Sequence, residues 1–162
     1  MKAAVLTVSD RVSRGEAEDR SGPAAAELLT ELGFEVEQIR VTADGVDHVS
    51  EALKEMIPGV NLIVTSGGTG FSQRDLTPEA TARVLERSAP GIAEAIRADA
   101  ISRFPHGMLS RGIAGICGTT LVVNLPGSEK AVRESIAVIA PALRHAVELL
   151  VAPGSDHNVA GT

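Results

Sequence analysis

Aromatic residues and cysteine are almost absent from this 162-residue chain, which has no Trp or Tyr, three Phe and one Cys. The hydrophobic core must therefore consist mainly of Ala, Val, Leu and Ile, and stacking of nucleic-acid bases on aromatic side chains is not expected. The lone Cys117 excludes an internal disulfide. Its place in an apolar strand pattern predicts a buried, small hydrophobic side chain without a chemical role.

Positive charge is also in deficit, since the formal net charge is −6 at pH 7. Binding to a nucleic-acid backbone depends on many Lys and Arg contacts, so this composition argues against it. The four His residues are scattered without the spacing of metal ligands. The N-terminus has the pattern of neither a signal peptide nor a membrane span, so we expect a cytoplasmic enzyme with no membrane partner. Any anionic ligand must be held by a local site.

Strands and helices alternate along the first half of the chain. Apolar runs predict strands at residues 2–9, 34–41 and 61–65, and apolar residues at helical spacing predict helices between them. Crossovers of this βαβ kind make the strands parallel and place ligands outside their carboxyl ends.

The second half is predicted to add helices at 78–85, 92–100 and 128–150, with a tightly connected antiparallel pair of strands at 113–117 and 121–125. Thr77 and Ser128 are candidate N-caps, Gly33 a candidate left-handed helix end, and Pro141 is expected to kink or split the last helix. We therefore predict an α/β fold, a three-layer α/β/α sandwich whose mostly parallel sheet has one antiparallel strand near its C-terminal part. Residues 1–152 are assigned to one domain, and the small, polar residues 153–162 are predicted to be a disordered tail.

A glycine-rich stretch at residues 65–78 follows the third predicted strand. Gly67, Gly68 and Gly70 allow backbone N–H groups to approach a phosphate closely, and Asp75 stands just beyond them. A carboxylate beside bound phosphate requires a divalent cation between the two, so the stretch favours a metal–nucleotide complex. The loop alone is equally typical of a sharp structural turn.

Seven short motifs, in order and at predicted strand or helix ends, resemble one family along nearly the whole chain: the molybdopterin adenylyltransferases, or MoaB/Mog group, to which the N-terminal domain of gephyrin also belongs. The motifs span residues 9–11 (SDR), 19–23 (DRSGP), 67–70 (GGTG), 74–80 (RDLTPEA), 89–91 (APG), 108–111 (MLSR) and 124–128 (NLPGS).

This resemblance implies a homotrimer that transfers AMP from ATP to the terminal phosphate of molybdopterin, releasing pyrophosphate with the help of Mg²⁺. It implies no permanently bound cofactor, and a possible hand-off of the product to the enzyme that inserts molybdate. By motif match, Asp44 and Asp75 correspond to the family's catalytic aspartates and are the expected Mg²⁺ ligands; taken alone, Asp44 is more typical of a solvated turn. The expected substrate- and nucleotide-binding residues are Ser9, Asp10, Arg11, Asp19, Ser21, Ser66, Gly67, Gly68, Thr69, Gly70, Ser110, Arg111, Asn124, Pro126, Gly127 and Ser128. The hydroxyls of Ser21 and Ser128 also fit simple helix caps.

The chain departs from the family at two places. Ala43 and Gly45 stand where a proline and an acidic residue often flank the Asp44 position, and Cys117 stands where an Arg is common. Two other functions remain open: a non-catalytic molybdopterin-binding or scaffolding paralogue, and the later molybdate insertion, which related domains perform in longer chains. Retention of both Asp44 and Asp75 favours the adenylyltransferase.

Overall fold

The structure, a computed structural model, describes residues 1–152, so the tail predicted at 153–162 lies outside the described residues. Its strands are β1 (Lys2–Val8), β2 (Glu35–Thr42), β3 (Leu62–Ser66), β4 (Arg87–Ser88), β5 (Ala114–Cys117) and β6 (Thr120–Leu125). Its helices are α1 (Asp10–Ser13), α2 (Ser21–Glu31), α3 (Val46–Met56), α4 (Thr77–Ala82), α5 (Pro90–Arg103) and α6 (Glu129–Val151), with a 3₁₀ turn at Pro105–Leu109.

The six strands form one sheet in the order β2-β1-β3-β6-β5-β4. The four strands β2, β1, β3 and β6 are parallel to one another. Val5, Val64 and Val123 stand side by side in register across β1, β3 and β6. Only β5 runs against its neighbours, since it pairs antiparallel with both β6 and β4. The predicted mostly parallel sheet with one antiparallel strand is thereby confirmed.

Each face of the sheet carries its own apolar core. Alternate residues of β1, β3 and β6 (Ala3, Val5, Leu62, Val64, Leu121, Val123) pack under α2, α5 and α6. The intervening residues (Ala4, Leu6, Ile63, Val122) pack under α3 and α4. Strands buried on both faces explain the continuous apolar runs of the sequence, and the two helical layers complete the predicted three-layer α/β/α sandwich.

Three local predictions were wrong or incomplete. The helix predicted to continue through Leu85 ends at Ala82, because Glu86 N–H donates to Ile116 O and the chain turns to pair with β5. Thr77 is not the N-cap of α4, which is Leu76; the Thr77 hydroxyl instead donates to Gly67 O at 2.9 Å. α6 continues through Pro141 as one helix rather than splitting.

Two other helix ends follow their sequence signals. Gly33 has a φ of 84°, and Ser128 caps α6 by accepting Ala131 N–H. Each of the four parallel strands leads, at its carboxyl end, into a loop that starts a helix. Those loops gather at one edge of the sheet.

Candidate functional site

A cleft of about 560 Å³ opens at the carboxyl ends of the parallel strands. Its walls come from the loops after β1, β2, β3 and β6, as the crossover topology dictates. The lining residues are Thr7, Val8, Ser9, Val12, Glu18, Asp19, Arg20, Ser21, Asp44, Ser66, Gly67, Gly68, Asp75, Gly127 and Glu129. Both predicted catalytic aspartates are among them.

The glycine loop after β3 brings two backbone segments into near contact. Gly67 has a φ of 104°, and a Cβ on it would collide with the carbonyl oxygen of Val8. A Cβ on Gly127 would lie 3.2 Å from Gly67 Cα. No side chain fits between these loops, so the floor of the cleft is bare backbone.

The N–H groups of this loop divide into used and available donors. Gly67 N–H donates to Leu125 O at 3.2 Å and so continues the sheet ladder. Within residues 1–152, no protein acceptor takes the N–H of Gly68, Thr69 or Gly70. Three consecutive donors without protein partners are suited to phosphate oxygens.

Asp44 follows β2, and Asp75 lies later in the glycine-rich stretch itself. Each carboxylate is anchored through one oxygen. Asp44 Oδ2 accepts Asp10 N–H at 2.7 Å, while Asp44 Oδ1 lies 3.3 Å from where a Cβ on Gly68 would stand. Asp75 Oδ2 accepts Ser72 N–H at 2.9 Å. The anchoring hydrogen bonds leave Oδ1 of each carboxylate for a further partner.

Partial burial raises the pKa of Asp44 above its ordinary value. The hydrogen bond from Asp10 N–H opposes this rise, but the nearby carboxylates of Asp10 and Asp75 add to it. Burial also acts to raise the pKa of Asp10, yet hydrogen bonds from Asp44 N–H and the Arg74 guanidinium outweigh it and lower that pKa. The site thus gathers negative charge that a bound cation would relieve.

The cleft is strongly acidic. Its lining includes one cationic side chain, Arg20, and five carboxylates, those of Glu18, Asp19, Asp44, Asp75 and Glu129. Among residues 1–152, no cluster of three or more His, Cys, Asp or Glu residues has metal-site geometry. A pair of carboxylates beside bare N–H donors nevertheless fits Mg²⁺, which prefers oxygen ligands and is commonly held by one or two carboxylates together with substrate phosphates and water.

Asp19 lies in the cleft wall but mainly shapes the start of α2. Its carboxylate accepts the Thr7 hydroxyl at 2.7 Å, the Ser21 hydroxyl at 3.2 Å and Gly22 N–H at 2.9 Å. A Cβ on Gly22 would collide with that carboxylate, so this motif requires Gly and Asp together.

Nine predicted binding residues lie outside the cleft. Thr69, Gly70, Ser110 and Pro126 line a second, more apolar cavity of about 220 Å³ on the other side of the glycine loop. The remaining five, Asp10, Arg11, Arg111, Asn124 and Ser128, line neither cavity among the described residues.

Four of these five have structural partners, namely Asp10, Arg111, Asn124 and Ser128, and two of the four brace the loops around the site. Arg111 binds Gly70 O at 2.8 Å and also contacts Asp75 O and the Glu79 carboxylate, so it ties the glycine loop to α4. The hydrogen bond from Arg111 lowers the pKa of Glu79. Asn124 is buried, donating to Thr65 and Thr81 hydroxyls and accepting Ile113 N–H, and it therefore braces β6 from inside.

The cleft also contains residues that the sequence reasoning did not nominate: Thr7, Val8, Val12, Glu18, Arg20 and Glu129. Arg20 stands inside a nominated motif, and the other five stand within two residues of one. Extending each motif by its neighbours at strand and helix ends would have found them.

Cys117 is half-buried rather than buried and lies away from the cleft, in a groove with Glu86. Burial, and then the charge of Glu86, raises the pKa of its thiol, which disfavours a nucleophilic thiolate. Within the described residues, no helix combines the length and apolar character that a membrane crossing requires.

Comparison with known proteins identifies the family. Residues 4–145 match the family model described as "Probable molybdopterin binding domain". Over 154 residues the chain is 40% identical to the molybdopterin adenylyltransferase of Helicobacter pylori strain J99, covering 91% of this chain and 86% of that protein. The structure of MogA superposes with a TM-score of 0.88 at 44% identity, covering 93% of this chain and 99% of MogA.

Longer relatives contain a comparable region. Gephyrin from Dictyostelium discoideum is 40% identical over 160 residues, which cover 90% of this chain but 22% of gephyrin. The cinnamon protein of Drosophila melanogaster is 41% identical over 149 residues, which cover 90% of this chain but 25% of that protein. The family match over most of the chain confirms the resemblance drawn from the seven motifs: this protein belongs to the molybdopterin-binding family that includes MogA and MoaB.

Proposed function

We propose that this protein transfers AMP from ATP to the terminal phosphate of molybdopterin and releases pyrophosphate. One observation carries the proposal: the Asp44 and Asp75 carboxylates line one cleft with Gly68, whose N–H has no protein acceptor among residues 1–152, at the carboxyl ends of parallel strands. A phosphate oxygen of molybdopterin attacks the α-phosphorus of ATP, and the bond from that phosphorus to the pyrophosphate oxygen breaks. No proton transfer is required if the attacking phosphate is ionised.

The protein's task in such a reaction is to position two anions in line and to offset the charge that develops on the transferred group. The N–H of Gly68, the one of the three donor residues that lines the cleft, supplies a fixed dipole for a phosphate oxygen. Arg20 supplies the one cationic side chain of the cleft wall. The bare backbone between Gly67 and Gly127 leaves room for the reacting groups to approach.

Mg²⁺, when bound, neutralises phosphate charge and draws the two substrates together. Asp44 and Asp75 would hold it through the oxygens that their anchoring hydrogen bonds leave available. A cation held between these carboxylates and the phosphates also accounts for an acidic cleft in a protein whose substrates are anions. ATP and molybdopterin are substrates here, and no permanently bound cofactor is invoked.

A homotrimer is part of the same proposal. Four large apolar side chains stay 40–58% exposed around the end of α5 and the 3₁₀ turn: Ile101, Phe104, Met108 and Leu109. Exposed large apolar side chains grouped along one stretch of chain favour a protein–protein contact there. Light scattering of the purified protein at micromolar concentration is expected to give three times the chain mass, and a monomer would contradict it.

Family membership also supports a cytoplasmic location and a hand-off of the adenylylated product to a molybdate-inserting enzyme. Retention of the product in the trimer until that enzyme is added would support the hand-off. Release into bulk solvent at the same rate with and without that enzyme would count against it.

The activity is tested by pyrophosphate release from Mg-ATP with and without molybdopterin. Asp75→Asn and Asp44→Asn are each expected to lower the rate about a hundredfold, the usual loss for one transition-state contact. Asp47→Asn is the matched control, because Asp47 is an exposed carboxylate paired with Arg83. Full activity in either site variant would remove that residue from the mechanism.

Folding of the variants is checked separately. Because burial raises the pKa of Asp44, its charge opposes folding at neutral pH, and Asp44→Asn should unfold no more easily than wild type at pH 7. A wild-type protein that binds molybdopterin but releases no pyrophosphate would instead support the non-catalytic, scaffolding alternative.

A further inference from the structure

We propose that Asp10 and Arg74 are positioning residues: their ion pair holds Asp44 and Asp75 in the relative placement that the adenylylation requires. The inference rests on the proposed function for its catalytic consequence. Its structural basis is independent of that function, and the experiment below tests the two separately.

Arg74 binds Asp10 in a two-pronged ion pair. Nε donates to Asp10 Oδ2 and Nη2 to Asp10 Oδ1, both at 3.0 Å. This fork geometry fixes direction as well as distance, which a lysine cannot do. It joins α1 to the loop that precedes α4, across 64 residues of chain.

Asp10 is joined in turn to Asp44 by two reciprocal hydrogen bonds. Asp10 N–H donates to Asp44 Oδ2 at 2.7 Å, and Asp44 N–H donates to Asp10 Oδ1 at 3.1 Å. Arg74 closes the network because its Nη2 also donates to Asp44 O at 3.3 Å. The loops after β1, β2 and β3 therefore meet at one set of charge-assisted contacts.

This network favours a supporting role for Asp10 over direct ligand binding. Both of its carboxylate oxygens are engaged by Arg74, and Asp10 is not among the residues that line the cleft. The sequence motif around Asp10 suggested a substrate contact, whereas the geometry points to support of Asp44. The contacts leave Asp44 Oδ1 directed toward Gly68.

Arg74 is bonded to Asp75 along the chain, so its attachment to Asp10 also limits where Asp75 can stand. The two proposed Mg²⁺ ligands are thus fixed relative to each other through one guanidinium. The Arg74 side chain is 62% exposed, so the ion pair adds little to the free energy of unfolding. Its value lies in the geometry of the site rather than in stability.

The experiment compares Arg74→Gln, Arg74→Lys and Asp10→Asn with Arg83→Gln. Arg83 is the matched control, since it forms a similar exposed pair with Asp47 at 2.8 Å and lies outside the cleft lining. Loss of an outer partner of a metal ligand typically costs 10- to 100-fold, so Arg74→Gln should lower kcat about tenfold or more and raise the Mg²⁺ concentration at half-maximal rate. Arg74→Lys, which keeps the charge but not the fork, should recover only part of this loss.

A second measurement does not depend on activity. Native-state amide hydrogen exchange at the Asp10 and Asp44 N–H groups should become about tenfold faster in Arg74→Gln and stay unchanged in Arg83→Gln. In the double variant Asp10→Asn/Arg74→Gln, kcat should be no lower and amide exchange no faster than in the more damaging single variant. Both substitutions remove the same contact, so their effects should not add.

The outcomes separate the two hypotheses. A wild-type protein without adenylyltransferase activity overturns the proposed function, while faster exchange in Arg74→Gln still supports the positioning network. An active wild type with unchanged exchange, kcat and Mg²⁺ dependence in Arg74→Gln overturns the positioning role and leaves the proposed function standing.

Discussion

Replacing Gly68 by alanine is expected to damage both the stability and the site of this protein. Gly68 has a φ of 65°, and a Cβ there would stand well inside 3.0 Å of the Thr77 hydroxyl oxygen. Thr77 has little freedom to move. It is fully buried, its hydroxyl donates to Gly67 O at 2.9 Å, and its N–H donates to Gly68 O at 3.0 Å.

The stability lost in Gly68→Ala has two parts, and the same substitution at a second glycine of similar φ distinguishes them. A positive φ penalises any L side chain by about 1–2 kcal/mol. Overpacking against a fixed neighbour adds about 1–3 kcal/mol. Gly15→Ala carries only the first part, because Gly15 has a similar φ of 73° but no atom within 4 Å of its Cβ position. The smaller backbone entropy of an unfolded chain with Ala is common to both variants and cancels in the comparison.

Urea unfolding followed by circular dichroism, at one protein concentration, gives the free energy of unfolding of each variant. We expect the unfolding free energy of Gly68→Ala to lie about 1–3 kcal/mol below that of Gly15→Ala. Removing the obstructing hydroxyl in Gly68→Ala/Thr77→Ala should cost less than the sum of the two single changes, because the nearest remaining atoms, Thr77 Cβ and Asp44 Oδ1, are 3.3 Å away. Equal stabilities of Gly68→Ala and Gly15→Ala, within about 0.5 kcal/mol, would refute the steric argument.

Three further predictions concern other parts of the site. The hydrogen bond from Arg111 lowers the pKa of Glu79, so the stability that this pair contributes is present above pH 4.5, the ordinary value, and is lost as the pH falls through the lowered pKa. The unfolding free energies of wild type and Glu79→Gln should therefore differ at pH 7 and approach each other as the pH is lowered below 4.5. A difference that does not change with pH would contradict this. Asn124→Ala removes three buried or half-buried hydrogen bonds and should cost about 2–4 kcal/mol by the same urea assay, whereas a cost below 1 kcal/mol would show that water replaces the amide. Gly45→Glu, which introduces the acidic residue often found there in the family, should lower the unfolding free energy by about 1–3 kcal/mol, because Gly45 has a φ of 120°. An unchanged unfolding free energy would mean that the turn relaxes.

The fold was largely predictable because its central strands are buried on both faces. Such strands appear in the sequence as unbroken apolar runs, and glycines or prolines mark where the connecting helices begin and end. β4 was missed for a physical reason. Two exposed residues, Arg87 and Ser88, carry no periodic signal, and their pairing depends on β5, which is distant in sequence.

The site was only partly predictable. Motifs at strand ends pointed to Asp44, Asp75, Gly67 and Gly68, and the structure brings these four residues together in one cleft. The same motifs could not distinguish residues that face a ligand from residues that hold the loops together. Asn124 illustrates the difficulty, since its amide lies inside the protein between β3 and α4. The direction of a polar side chain at a strand end depends on pleat and packing, which a motif does not encode.

The acidity of the cleft constrains the chemistry more tightly than any single motif. The Asp44 and Asp75 carboxylates would repel a nucleotide triphosphate and a second phosphate ester unless cations accompanied them, whereas Glu18 pairs with Arg20 and Glu129 with Arg133. Asp19 is engaged by three donors at the start of α2, and Asp10 lies outside the lining and is neutralised by Arg74. The negative charge that remains nearest the glycine loop belongs to Asp44 and Asp75. Binding of both substrates should therefore depend on divalent cation even before any chemistry occurs, and tight binding of ATP in excess chelator would refute this account of the cleft.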